Sequence, residues 1–332
     1  MDRLSLERRQ VWVYLLAIFF GLAAGKGRPE FQTLFQSLVW PTLGALLFVT
    51  FLQVPLLHLH QAFADRRFVT AVLVGNFLCI PLLVSAAITL LPANPPLRLG
   101  VLLVLLTPCT DWFITFTQLG KGSPTRAIAI TPVNLILQLL LIGVLLTIWG
   151  PDIDPQSGRN TGASRFLPFA DGHTDFAVML PFLLLLATLV LGALTSTLAN
   201  RHEKGRIWLD RLAWFPVPLL ATLLFLVSAT HVATIIDAKA SLLVVLPLFA
   251  IFPLLVAWLA RGLSNWLQLP VAAGRTLAFS MGTRNSFVVL PIALALPAGW
   301  ELTAIVIVFQ SLVELLGMVF CLWWLPNHLF KG

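Results

Sequence analysis

Residues 241–260, SLLVVLPLFAIFPLLVAWLA, contain no charged side chain. That length matches the roughly 20 apolar residues an α-helix needs to cross the hydrocarbon core of a bilayer. Lipid offers backbone groups no partners, so such a run must satisfy its own hydrogen bonds as a helix. The pattern recurs along the chain. Further spans are read at 11–25, 34–56, 68–91, 98–119, 124–148, 176–198, 214–236, 274–297 and 301–325, ten in all. Composition agrees: 58% of the 332 residues are hydrophobic and 11% charged, against about 25% charged in soluble domains. An all-α polytopic membrane protein is expected.

The net charge of +7 therefore points to the lysine and arginine bias of cytoplasmic loops, and no nucleic-acid partner is expected. With the N-terminus inside, most basic residues fall in segments on the cytoplasmic side, among them Arg66, Arg67, Arg201, Lys204, Arg206 and Arg211. Both termini are expected in the cytoplasm, in a plasma or inner membrane. The opening MDRLSLERRQVWVYLLAIFFGLAAGKG has the parts of a signal peptide, but it reads as a short first span. The odd set of Cys79, Cys109 and Cys321 lies within apolar segments and does not form a disulfide framework. His58, His60 and His231 lie near helix ends and read as interfacial.

The Gly-, Pro- and Asp-rich stretch 150–175 reads as an external linker between two five-span halves, 1–149 and 176–332. Halves with an odd number of spans cross the membrane in opposite senses, and these two show weak internal similarity. Pro41 and Pro216 are 175 residues apart, and Thr110 and Thr283 are 173 apart. Asn134 and Gln138 match Gln310 and Glu314 at a separation of 176, each pair spaced i, i+4 on one helix face. Together these matches indicate an inverted repeat.

Within this frame TPCTD, Thr107 to Asp111, interrupts span four. Pro108 removes a helix donor, and lipid tolerates the freed groups only where protein or a water-filled cavity meets them. MGTRN, Met281 to Asn285, is expected to break span nine at the corresponding place. Inverted repeats with paired broken helices place a polar site near the midplane of secondary transporters. Asp111 and Arg284 occupy matching positions with opposite signs, each costing roughly 2.5–3.5 kcal/mol alone at the centre of a span. They read either as a gating or substrate-coupled ion pair or as a structural salt bridge. Glu314, beside Gln310, reads as a proton site, a partner for Arg284, or a packing residue. Cys109 is either a small side chain at a helix crossing or a soft ligand for a thiophilic substrate. Asn134 and Gln138 either bond across helices or touch substrate.

At these residues the chain resembles the bile acid:sodium symporter superfamily, which includes arsenical-resistance permeases. The resemblance covers nearly the whole chain and is clearest in TPCTDWFITFTQLGKG and AFSMGTRNSFVVLPIALALP. It implies crossed, discontinuous helices four and nine, and a panel of spans 1, 2, 6 and 7 that rocks against a core holding four and nine. The chain departs from the sodium symporters at their ligand positions. Ser280 stands where they carry an acid, Arg284 replaces a glutamine, and Phe113 and Ile114 replace a Ser-Asn pair. Cys109 coincides with the single cysteine that the arsenical-resistance permeases carry in helix four. Their helix-nine glutamate is missing, with Ser286 or Phe287 in its place.

The resemblance implies a secondary transporter rather than an enzyme, with arsenite efflux coupled to protons rather than sodium as the specific expectation. The alternative is transport of a small organic anion with Arg284 as counter-charge. The candidate site comprises Cys109, Thr110, Asp111, Asn134, Gln138, Arg284, Asn285, Ser286, Gln310 and Glu314. No cofactor and no paired metal motif are expected, and no phosphate-binding loop implies ATP. An intramembrane aspartyl protease would need a second deep aspartate to complement Asp111. A channel would show filter rings. A receptor without transport would bind ligand and move none.

Overall fold

A computed structural model describes residues 3–53, 65–110, 112–149, 176–296 and 298–331. The linker 150–175, His58, His60 and Asp111 lie outside the described residues.

Among the described residues the chain is helical, with one isolated β-bridge. The elements run α1 Arg3–Gly27, α2 Gln32–Leu52 and α3 Arg66–Val74, then a π-helical turn over Gly75–Cys79 that leads into α4 Ile80–Thr89. There follow α5 Pro95–Leu105, α6 Trp112–Leu119, α7 Pro124–Trp149, α8 Phe176–Ala199, α9 Glu203–Leu212 and α10 Pro216–Thr230. The last are α11 Val232–Asp237, α12 Lys239–Trp266, α13 Val271–Gly282, α14 Ser286–Leu294 and α15 Glu301–Trp324. Every segment read as a span contains a helix or a pair of helices. Among the described residues, five stretches are long and apolar enough to cross a membrane: Pro29–Leu52, Arg66–Thr89, Glu203–Thr230, Lys239–Trp266 and Glu301–Leu329. Shorter apolar helices include Trp12–Gly27, Pro95–Leu105, Pro124–Leu140 and Leu183–Ala199. Large apolar side chains such as Trp12, Leu82, Leu90, Leu194 and Trp258 are exposed. Such a surface suits lipid, since soluble proteins rarely expose extended apolar patches.

Two differences from the expected spans have local causes. The first helix starts well before residue 11, at Arg3; basic side chains do not oppose helix formation, they only oppose burial in lipid. The seventh span stops at Thr230, where His231 leaves the helical region (φ −109°, ψ 31°) before the short α11 begins.

The chain divides into two compact units. One comprises residues 1–54 and 180–240, the segments read as spans one, two, six and seven. Its helices approach by shape: Gly21 of α1 lies against the backbone of Phe225, and Gly25 against that of Ala229, so no larger side chain fits at either place. The Gln32 amide donates to Thr230 O at 2.9 Å. The other unit comprises 55–179 and 241–332, and it holds every described candidate site residue. Here α5 packs on α15, with Gly100 against Thr303 and Val306. Asp65 caps α3 by accepting the Phe68 N–H and pairs with Arg126 at 2.8 Å.

Candidate functional site

Helix α5 ends at Leu105, and the chain resumes a helix only at Trp112. The Thr107 hydroxyl turns back to donate to Leu103 O at 2.6 Å, and Pro108 has no N–H to offer. The second break lies between Gly282 and Ser286, where Thr283 is extended (φ −97°, ψ 140°). Pro108 and Arg284 form an antiparallel bridge. Cys109 N–H donates to Thr283 O at 3.1 Å, and Asn285 N–H donates to Thr107 O at 2.8 Å. Each break thus satisfies part of the other's backbone, which is what buried, non-helical chain requires in lipid.

Asn285 does more. Its amide nitrogen donates to Thr110 Oγ1 at 3.0 Å, and its Oδ1 accepts the Val288 N–H at 3.4 Å, capping α14.

Arg284 is buried. Its backbone N–H is shared by both Glu314 carboxylate oxygens, at 3.1 and 3.0 Å. Its guanidinium donates to neutral oxygens. Nη1 donates to Leu105 O at 3.2 Å; Nη2 donates to Asn76 Oδ1 at 3.0 Å, to Ser280 O at 3.2 Å and to Met281 O. The Phe252 ring lies 5.7 Å from the guanidinium carbon, a cation–π distance. Nε has no partner among the described residues.

A polar relay runs outward from Glu314. Gln310 Nε2 donates to Glu314 Oε2 at 2.6 Å, and Ser286 Oγ donates to Gln310 Oε1 at 3.1 Å. On the other side Ser280 Oγ accepts from the amides of Asn76 at 3.3 Å and Asn134 at 3.4 Å. Asn134 Oδ1 and both amide atoms of the buried Gln138 have no partner among the described residues. Bridges between amides and hydroxyls of this kind meet the need of buried polar groups for partners.

The structure therefore brings Thr110, Arg284, Asn285, Ser286, Gln310 and Glu314 into one network, with Cys109 joined through its backbone and Asn134 through Ser280. Gln138 stands a turn beyond. The expected pairing of Arg284 with Asp111 falls outside the described residues. Glu314 takes the arginine's backbone N–H. Sequence reasoning missed Asn76, which the π-turn carries and whose burial is complete; the Gly75-Asn76 pair ahead of Pro81 was its one visible signal. It also missed the support at the end of span four. Gly120 lies against the Phe279 ring, leaving no room for a Cβ. The Arg275 guanidinium donates to Lys121 O at 3.2 Å and to Phe330 O at 2.6 Å, tying the QLGKG turn to the last turn of the chain.

Comparison with known proteins gives two likenesses. Residues 40–165 match the model of the Sodium Bile acid symporter family, a stretch that includes the first helix break. Over 284 residues the chain is 20% identical to the arsenical-resistance protein Acr3 of Corynebacterium glutamicum, covering 82% of this chain and 74% of that protein. The chain has the apolar helices of a multi-pass membrane protein and is similar over residues 40–165 to the bile acid:sodium symporters, and its similarity to an arsenical-resistance protein extends over most of its length.

Proposed function

We propose that the chain is a secondary active transporter that expels arsenite in exchange for protons, through a site at the bridge between the two helix breaks. The observation that carries this reading is the placement of Cys109, a buried thiol, in that bridge beside the acid and amide network of Glu314, Gln310 and Ser286. Trivalent arsenic is soft and prefers sulfur, and its hydroxyl groups suit amide and hydroxyl partners. The similarity to an arsenical-resistance protein supports the same substrate.

In this reading ten spans form two inverted repeats, and both termini are cytoplasmic, in keeping with the basic-residue bias. The unit of residues 1–54 and 180–240 is the panel that moves, and the other unit is the core that carries the site. Cys109, Thr110, Asp111, Asn134, Gln138, Arg284, Asn285, Ser286, Gln310 and Glu314 form the transport site, with Glu314 or Asp111 carrying the proton. The organic-anion alternative loses support, because the Arg284 Nη groups are already committed to chain oxygens.

The test is arsenite uptake by inside-out vesicles under an imposed pH gradient. Uptake is expected in wild type. In Cys109→Ala it should fall tenfold or more, equivalent to about 1.4 kcal/mol of substrate binding. In Glu314→Gln, gradient dependence should disappear if that carboxylate carries the proton. A folded wild-type protein that moves no arsenite overturns the reading.

A further inference from the structure

The four acceptors around the Arg284 guanidinium are all neutral oxygens, and they come from three separate segments: Leu105 O, Asn76 Oδ1, Ser280 O and Met281 O. Three of them are backbone carbonyls in the last turns of half-helices, Leu105 closing α5, and Ser280 and Met281 near the end of α13. The last carbonyls of a helix lack intrahelical partners and carry the negative end of its dipole. Two such ends converge here with an amide oxygen, in a part of the molecule where Arg284 is 2% exposed. Carbonyl and amide oxygens gathered in this way are the donor set of a hard cation, and unwound helix ends supply it in membrane transporters. The convergence favours a positive charge at that point.

We infer that Arg284 is a tethered cation: its guanidinium occupies a site of neutral oxygens that would otherwise hold a small monovalent cation from solution, so the crossing is complete without one. The side chain cannot dissociate, and guanidinium stays charged throughout the physiological range. The site is therefore permanently filled, and neither its occupancy nor the geometry of the two breaks varies with the sodium concentration. The backbone N–H of Arg284 bonds Glu314 independently of the side chain. A substitution at this position therefore empties the cage while leaving that backbone anchor in place.

Thermal melting of the full chain in detergent tests this without reference to any transported substrate, so its failure is separate from failure of the arsenite reading. The salts compared are sodium, potassium and choline chloride at constant ionic strength, with guanidinium chloride added at low concentration. Wild type is expected to melt at the same temperature in all of them. Arg284→Ala is expected to melt lower in choline and to recover by about 2–4 °C in sodium or dilute guanidinium, saturably, as ligand binding to the native state alone requires. Adding Asn76→Ala to that variant removes one oxygen and should weaken the recovery about tenfold in half-saturating concentration.

Arg284→Gln provides a second emptied site if Arg284→Ala yields no folded protein. Equal melting of the emptied variant in every salt overturns the inference. A wild-type protein stabilised by sodium over choline overturns it too, because a filled site has no vacancy for the ion.

Discussion

At Pro108 the chain breaks its helix by withholding a donor; at Thr283, Arg284 and Asn285 it breaks one by supplying donors in excess. Among the described residues, four hydrogen bonds cross between the two breaks. The second break donates three of them, from Arg284 Nη1 to Leu105 O and from Asn285 to Thr107 O and Thr110 Oγ1. The first break donates one, from Cys109 N–H to Thr283 O. Among the described residues the two breaks are therefore unequal in load. The second break holds the first in place, and it is itself held from behind by Glu314 and Asn76. A substitution at or behind the second break should disturb both, and one at the first break should stay local.

The largest effect is expected behind the second break. Glu314→Ala leaves the buried Arg284 N–H and the Gln310 amide without their acceptor, a loss of about 2–5 kcal/mol. Melting temperature and the yield of monodisperse protein measure it. Glu314→Gln restores one acceptor and should recover about half of that loss. An alanine variant as stable as wild type would remove the asymmetry at its root.

Next is Gly120, just past α6, where a Cβ meets the Phe279 ring of α13. Gly120→Ala should cost about 1–3 kcal/mol by overpacking. Phe279→Leu, which opens that space, should relieve part of the cost in the double variant, a coupling visible only if the two residues touch.

The direct comparison is Asn285→Ala against Thr110→Val. Both lose the same 3.0 Å bond, but Asn285 also caps α14 through Val288. The alanine should cost about 1–2 kcal/mol and the valine about 1 kcal/mol, with the double variant well short of the sum. Equal costs would mean that the cap contributes nothing.

The smallest stability effect belongs to Cys109→Ser, a near-isosteric change whose backbone bond to Thr283 is untouched. A shift below about 1 kcal/mol is expected, alongside the transport defect predicted for loss of the thiol. A large loss of stability would recast Cys109 as a packing residue.

Both helix breaks were legible in the sequence because proline, glycine and short polar residues in an apolar run have a direct backbone meaning. Glu314, Gln310 and Ser286 were legible as buried polar residues on facing segments. The surroundings of the arginine were not. Opposite charges attract notice in a sequence, so Arg284 suggested Asp111 or Glu314 as its partner; carbonyls at helix ends also attract a cation but have no letter of their own. Asn76 was hidden for a related reason. One amide in a long apolar span looks the same whether it packs or ligates, and only the π-turn decides which way it points. The Arg275 bracket likewise depends on carbonyls of Lys121 and Phe330, which residue type does not reveal.

That π-turn has a consequence for variation in chain length. A π-turn holds one residue more than the α-helical turn it replaces, so Gly75–Cys79 stores a single extra position inside an otherwise continuous helix. Deleting one residue there would let the turn close as an ordinary α-helical turn, with the flanking segments nearly in register. The helix would keep its hydropathy and still suit a bilayer, yet Asn76 would turn away from the guanidinium. Among relatives of this chain, a one-residue gap at this turn would thus separate proteins that share this polar centre from proteins that share only its envelope.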